Sequence, residues 1–150
     1  TPGDVRPMLE PLIALKERGR IGALGISNAL PEQVEAARSM TEIVCVQNMY
    51  NLANRSDDDL IDHLAGERIA YVPFFPLGGF NPLQSDTLKS VAQSLEATPM
   101  QVALAWLLQR SPNMLLIPGT SSVEHLRQNV AAANLHLPDE VLAALDAIAG

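Results

Sequence analysis

The segment 114–129, MLLIPGTSSVEHLRQN, decides the predicted fold because it contains a strand, a tight turn and the beginning of a helix. The apolar run 114–117 ends at Pro118-Gly119, three hydroxyl residues follow at 120–122, and helical spacing of apolar residues begins at Val123. A strand that passes through such a turn into a helix is typical of a parallel α/β sheet.

Two interpretations of this helix start remain open on the residues alone. Backbone N–H groups at a helix N-terminus, together with the helix dipole, favour an anion such as a phosphate. Ser121 followed by Glu124 is equally typical of a capping box, which begins a helix without any ligand. The segment therefore indicates either a phosphate site or a plain helix cap.

The composition of the 150-residue chain restricts the class of protein. Hydrophobic residues make up 47% and charged residues 18%, which is typical of one globular domain with a sizeable core. The 17 acidic and 10 basic side chains give a formal net charge of -7. Because lysine and arginine form no cluster, the composition argues against binding nucleic acid or an anionic membrane surface. Any anion site must therefore use local backbone and hydroxyl donors.

Cys45 is the single cysteine, and it lies in the apolar run EIVCVQ. This position predicts a core residue, and one cysteine excludes an internal disulfide framework. No apolar run approaches the roughly 20 residues of a membrane-spanning helix. We therefore expect a cytoplasmic protein.

The remaining chain repeats the same unit. Helix–strand patterning predicts an initial helix and four strand–helix units, which form a parallel sheet covered by helices. The predicted strands are 21–26, 43–47, 69–75 and 114–117, and the predicted helices are 5–18, 31–40, 56–65, 87–95, 98–110, 123–133 and 139–149. The acidic run 57–59 falls at a helix start, where it favours charge matching to the helix dipole over a metal site. Ligands of such sheets bind at the loops that follow the strands, which here are 27–28, 47–48, 74–79 and 119–122.

Five ordered segments give the chain a specific resemblance to the aldo-keto reductases, from about residue 18 to the C-terminus. They are GRIGALGISNALPEQVEAA (19–37), VQNMYNLANR (46–55), PLGG (76–79), TPMQVALAWLLQR (98–110) and IPGTSSVEHLRQNVAAAN (117–134). The resemblance implies that residues 1–150 are the C-terminal half of a (β/α)8 TIM barrel. This half has four parallel strands, each followed by helix, and a C-terminal helix. By the same resemblance, we expect the N-terminal half to lie outside this chain.

The resemblance also implies an NADP(H) site. Ser27, Asn28 and Gln47 would hydrogen-bond the nicotinamide carboxamide, for which Asn and Gln provide both donors and acceptors. Phe74 would stack on the nicotinamide ring, and plain strand core is the alternative for this residue. Phe75 stands where the family usually has Ser in contact with the pyrophosphate, whose path Leu77, Gly78 and Gly79 would line.

The resemblance assigns the adenosine end of the cofactor to the segment 114–129. Gly119, Thr120 and Ser121 would bind the 2′-phosphate, and the adenine would be bordered by His125, Gln128 and Asn129. Many family members have Lys in place of Gly119 and Arg in place of His125. The pocket would therefore use hydroxyl and N–H groups with Arg127 nearby, and we expect NADP(H) rather than NAD(H).

The resemblance implies hydride transfer between nicotinamide and a small carbonyl substrate, which becomes an alcohol. The Tyr, Asp, Lys and His that perform this chemistry come from the first half of the family barrel, and no catalytic residue can be matched here. Tyr50 and Tyr71 have no lysine close by in the predicted loops. We therefore expect the chain alone to bind cofactor without catalysis, and to need its N-terminal half or self-association. Two alternatives remain: a non-catalytic nucleotide-binding or regulatory module, and an unrelated half-barrel.

Overall fold

The helices and strands of residues 3–78 and 85–149, which the computed structural model describes, follow the predicted order except at the fourth predicted strand. Their bounds are α1 (Arg6–Glu17), β1 (Leu24–Ser27), α2 (Pro31–Arg38), β2 (Ile43–Gln47), α3 (Asp58–Gly66), β3 (Ala70–Tyr71), α4 (Asp86–Ser94), α5 (Pro99–Arg110), α6 (Val123–Ala131) and α7 (Asp139–Asp146). Short 3-10 turns, Ala132–Asn134 and Ala147–Ala149, follow the last two helices. In these described ranges, the helices are too short or too polar to span a bilayer.

The sheet is parallel with the strand order β1-β2-β3, as the alternating pattern predicts. Ser27 lies opposite Gln47, and Val46 lies opposite Tyr71. Each strand is connected to the next through a helix, so the carboxyl ends of the strands lie at the same edge of the sheet. This edge carries the loops in which the sequence predicts a ligand site.

The prediction of a fourth strand at 114–117 is wrong in its extent. Met114 forms a single parallel bridge with Tyr71, and the backbone N–H of Leu115 donates to the Tyr71 carbonyl at 2.9 Å. The segment has a neighbour on one side only in the described ranges, and Pro118 has no N–H with which to extend the pairing. Leu115 and Ile117 are consequently 56% and 46% exposed.

Two other predicted strands are shorter than their apolar runs. The run 21–26 pairs only from Leu24 onward, because its partner Ile43 is the first residue of β2. The run 69–75 is a strand only at Ala70–Tyr71. The apolar runs predicted where the chain is buried. The ends of the strands depend instead on where a neighbouring strand is present to pair with.

The core lies between the sheet and the helices that cover it. Helix α5 contributes buried residues at every position from 102 to 107, and Trp106 is 1% exposed. Thr98 and Gln101 form the predicted capping box, in which the Gln101 N–H donates to the Thr98 hydroxyl at 3.2 Å. The sequence therefore specified both the start and the central position of this helix.

Apolar side chains remain exposed on the outermost helices of the sheet. On α1, which packs beside β1, Met8 is 67% exposed. On α6, which follows 114–117 at the opposite edge, Val123 and Val130 are each 65% exposed. Such a distribution is typical of surfaces that another element covers.

Cys45 is half-buried, so the prediction of a core cysteine is wrong. Val44 is the extra residue of a β-bulge, since Leu24 and Gly25 lie opposite Ile43 and Cys45 respectively. The bulge changes the alternation of side chains along β2 and places the Cys45 sulfur beside Gly25. A Cβ atom on Gly25 would lie 2.5 Å from this sulfur and 3.0 Å from the Cys45 carbonyl oxygen.

We therefore expect Gly25→Ala to lower the free energy of unfolding by about 1–3 kcal/mol through overpacking. Gly22→Ala is the matched control, because a Cβ on Gly22 would meet no atom within 4 Å. Urea unfolding of both variants measures the difference. Equal stability of the two variants would contradict the close approach of the strands, and Cys45→Ala in the Gly25→Ala background should recover part of the loss.

Candidate functional site

Ser27, Asn28 and Gln47 come together at the carboxyl edge of the sheet. Ser27 is paired with Gln47 in the ladder, and the Asn28 N–H donates to the Gln47 carbonyl at 2.9 Å. Asn28 has φ of 53°, in the left-handed region that Asn tolerates better than most residues. Ser27 and Asn28 are exposed and Gln47 is half-buried, so one hydroxyl and two amides lie at this edge.

Asn48 lies at the same edge of the sheet, and the sequence predicted no role for it beyond its place in the loop 47–48. Its Oδ1 accepts from the Ala29 N–H at 3.0 Å, and its Nδ2 donates to the Ala29 carbonyl at 2.8 Å. The side chain is only 6% exposed. The position of a second amide directly after Gln47 was visible in the sequence. Its partner, Ala29, lies 19 residues away in the chain, so the hydrogen bonds could not be predicted.

Phe74 and Phe75 continue the same edge beyond β3. The Phe74 N–H donates to the Asn48 carbonyl at 2.9 Å, and Phe74 forms a parallel bridge with Met49. The rings of Phe74 and Phe75 meet edge to face, with centroids 5.3 Å apart. Phe74 is half-buried and Phe75 is 41% exposed with φ of 54°. An aromatic surface therefore lies next to the three polar residues.

The predicted pyrophosphate segment begins with a turn. Gly78 has φ of 89°, and its N–H donates to the Phe75 carbonyl at 2.9 Å. Glycine adopts this conformation without strain. Leu77 is half-buried and packs against the main core, while Gly79 lies outside the described residues.

The helix start after 114–117 differs from the predicted capping box by one residue. The N-cap is Ser122, whose hydroxyl accepts from the His125 N–H at 3.3 Å. The Thr120 hydroxyl accepts from the Ser122 N–H at 3.1 Å, which holds Ser122 in the capping position. The prediction that Ser121 and Glu124 form the box is therefore wrong, and Glu124 instead accepts from Gln128 at 3.4 Å.

The remaining predicted adenosine-end residues lie on this loop and on α6. Gly119, Thr120, Ser121 and His125 are exposed, whereas Gln128 and Asn129 are half-buried. The structure thus places the predicted residues that it describes after β1, β2 and β3 and, separately, after the bridge at Met114.

Tyr50 and Tyr71 are fully buried, and both hydroxyls donate to carboxylates. Tyr50 donates to Asp58, and Tyr71 donates to Asp57 at 2.8 Å. Burial and the hydrogen bond to Asp58 raise the pKa of Tyr50 to about 12. Burial and the bond to Asp57 also raise the pKa of Tyr71. Each phenol is therefore a protonated structural donor.

Asp58 connects α3 to α5 and to the preceding loop. It accepts from Arg110 Nε at 3.1 Å, and its other oxygen lies 3.0 Å from Arg55 Nη2. Burial by itself raises the pKa of Asp58, but hydrogen bonds from Tyr50 and Arg110 and the charge of Arg55 outweigh it, so the pKa lies below its usual value. Asp57 and Asp58 of the acidic run 57–59 are thus half-buried acceptors for the two tyrosine hydroxyls.

Comparisons with known proteins agree with this architecture. The model of the Aldo/keto reductase family matches residues 4–149. Pyridoxine 4-dehydrogenase of Escherichia coli is 63% identical over 146 residues, covering 97% of this chain and 51% of that protein. An uncharacterized oxidoreductase of Schizosaccharomyces pombe is 39% identical over 136 residues, covering 90% of this chain and 44% of that protein.

A solved structure provides the corresponding comparison of folds. The aldo/keto reductase from Klebsiella pneumoniae, in complex with NADP and acetate, has a TM-score of 0.83 and 29% identity. The match covers 93% of this chain and 52% of that one. The chain therefore spans about half the length of the curated relatives and of this solved structure.

The lowered pKa of Asp58 predicts how acid affects stability. A carboxyl group whose pKa is lower in the folded chain than the unfolded value of about 3.9 stabilises the fold above that pH, and the contribution is lost as pH falls below it. We expect Asp58→Asn to be less stable than the parent chain at pH 7, with the difference shrinking below about pH 4.

Urea unfolding at several pH values measures this effect. Asp59→Asn is the control, because Asp59 is the exposed neighbour on the same helix turn. The prediction would be wrong if the difference in free energy of unfolding between Asp58→Asn and the parent chain stayed constant from pH 7 to pH 3.

Proposed function

Because the chain belongs to the aldo/keto reductase family, we propose that it is the cofactor-binding C-terminal half of an NADP(H)-dependent oxidoreductase. The proposed reaction is hydride transfer between the nicotinamide and a small carbonyl compound, which is reduced to an alcohol. The observation that carries the proposal is the convergence of Ser27, Asn28 and Gln47 at one sheet edge.

The chemistry of these three side chains fits a carboxamide. A carboxamide has one acceptor oxygen and an NH₂ donor, and the Asn and Gln amides and the Ser hydroxyl offer both complementary types. The half-buried Phe74 ring next to them supports stacking on the nicotinamide. In this arrangement the residues orient the ring, while the bound cofactor supplies the hydride.

The proposed phosphate end rests on Thr120 and Ser121 together with the N-terminus of α6. Ser122 caps the helix, so the capping role does not require the exposed Ser121 hydroxyl. A helix N-terminus and two neighbouring hydroxyls favour an anion within a chain of net charge -7. We propose that this loop receives the 2′-phosphate and that NADP(H) binds more tightly than NAD(H).

The half-barrel assignment is supported by length and by exposed apolar surface. The chain covers 51% of its Escherichia coli relative, and α1 and α6 expose Met8, Val123 and Val130 on the outermost helices. We propose that an N-terminal half-barrel covers these helices and supplies the catalytic Tyr, Asp, Lys and His. Self-association of the chain through the same surfaces is the other way to cover them.

A non-catalytic nucleotide-binding module is the second candidate. It is favoured by the burial of Tyr50 and Tyr71, whose hydroxyls are already bonded to Asp58 and Asp57. In this case the site would bind cofactor without a proton donor reaching the substrate.

The first test is titration of the purified chain with NADPH and NADH, followed by nicotinamide fluorescence. We expect saturable binding that favours NADPH and weakens about tenfold in Asn28→Ala and in Gln47→Ala, as loss of a hydrogen-bonding group predicts. Gln93→Ala removes an exposed amide of α4 and should bind as the parent chain does. Folded chain that binds neither nucleotide would overturn the proposed cofactor site.

The second test restores the proposed missing half. We would co-express the chain with the N-terminal half of the Escherichia coli relative and measure pyridoxine-dependent reduction of NADP. Turnover by the pair, and by neither half alone, is expected if the chain is the cofactor half of an enzyme. A stable pair that binds NADPH without turnover would favour the non-catalytic module.

A further inference from the structure

A buried hydrogen-bond network lies directly behind the proposed nicotinamide residues. Its centre is Asn48, which forms two hydrogen bonds with the backbone of Ala29. The Asn48 side chain thus gives the Ala29 backbone one acceptor and one donor, which in a sheet would come from the backbone of a neighbouring strand. Since Ala29 follows Asn28, the amide holds the chain just beyond the proposed carboxamide contact.

The orientation of the Asn48 amide is fixed by groups on two other elements. Its Nδ2 also donates to Asp57 Oδ2 at 2.7 Å, next to the start of α3. The same Asp57 oxygen accepts from the Tyr71 hydroxyl on β3 at 2.8 Å. A carboxylate can only accept, so it selects the NH₂ side of the amide at this position. The Oδ1 atom is thereby turned toward the Ala29 N–H.

The loop that these bonds hold contains a residue in the left-handed region. Asn28 has φ of 53°, a conformation that Asn tolerates better than most residues and that the flanking hydrogen bonds hold in place. Its N–H is bonded to the Gln47 carbonyl, and Ala29 is bonded to Asn48. The backbone on both sides of the Asn28 side chain is therefore anchored to the end of β2.

We propose that Asn48 is a positioning residue for the nicotinamide end of the cofactor site, with Asp57 and Tyr71 orienting its amide. Asn48 acts through the backbone of Ala29 and does not contact the cofactor itself. This inference rests on the proposed function, because it assigns a cause to the geometry of Ser27 and Asn28.

The test compares NADPH with adenosine 2′,5′-bisphosphate, which has the adenosine end and lacks nicotinamide. We expect Asn48→Ala to raise the Kd for NADPH about tenfold and to change the Kd for the bisphosphate less than about twofold. Tyr71→Phe removes one hydroxyl and leaves the ring, so we expect a smaller change in the same direction. Equal weakening of both ligands would show general loss of structure and would overturn the positioning role.

Two further variants separate positioning from stability. Asn113→Ala removes a half-buried amide far from the proposed site, which donates to the Ile69 carbonyl at 3.0 Å at the amino end of the sheet. It should lower stability without changing the ratio of the two dissociation constants. Asn48→Asp keeps an acceptor for Ala29 but loses the NH₂ donor and places a second carboxylate against Asp57, so it should not restore NADPH affinity.

Amide hydrogen exchange of the ligand-free chain tests the positioning role without the cofactor. In Asn48→Ala, exchange at the Asn28 and Ala29 amides should become at least about tenfold faster, while amides of α5 remain protected. Faster exchange in a chain that binds no nucleotide would retain the anchoring role and reject the proposed function. Unchanged exchange at both amides would overturn the inference whatever the cofactor does.

Discussion

The parallel pairing of β1 with β2 is the constraint on which the rest of the structure depends. It places Ser27 beside Gln47 and brings the Asn28 N–H to the Gln47 carbonyl. Because parallel strands require a helical connection, the same pairing directs both following loops to one edge. The bulge at Val44 adjusts the alternation of side chains, so that Ile43 and Val46 are both buried.

Two half-buried carboxylates at the start of α3, Asp57 and Asp58, support this arrangement. Asp57 binds groups from β2 and β3, while Asp58 binds Tyr50 and two arginines. At the start of α3, Asp57 thus accepts hydrogen bonds from the sheet edge, and Asp58 accepts them from Tyr50 and from Arg110 of α5. The carboxyl edge of the sheet is therefore supported by half-buried charged groups at the start of α3.

Local patterns in the sequence correctly predicted elements that depend on residue type or on neighbours a few positions away in the chain. The bounds of β2 agree with the β-branched run 43–47, and Thr98 with Gln101 correctly predicted the start of α5. The predicted strand at 114–117 and the cap at Ser121 were wrong, because pairing needs a neighbour and capping depends on which hydroxyl reaches the helix.

In the candidate site, too, features that depend on local sequence were predicted, and contacts between distant residues were not. Ser27, Asn28 and Gln47 were predicted as site residues because they follow strands, and the family resemblance supplied roles for them. No role was predicted for Asn48, because its partners, Ala29 and Asp57, lie 19 and 9 residues away in the chain. No periodicity in one sequence indicates such a pair, since the hydrogen bonds exist only after the sheet has formed.

Trp106 gives the chain an intrinsic optical probe of one particular junction. It is the only tryptophan; its ring is stacked with the Tyr50 ring, with centroids 5.9 Å apart, and the Arg55 guanidinium lies 5.3 Å from its centroid. Its N–H donates to Asp146 at 2.9 Å. Ultraviolet emission from this chain therefore reports the contact of α5 with α7 and with the loop 48–57, without any attached label. Unfolding of that junction exposes the indole to water and shifts its emission to longer wavelength.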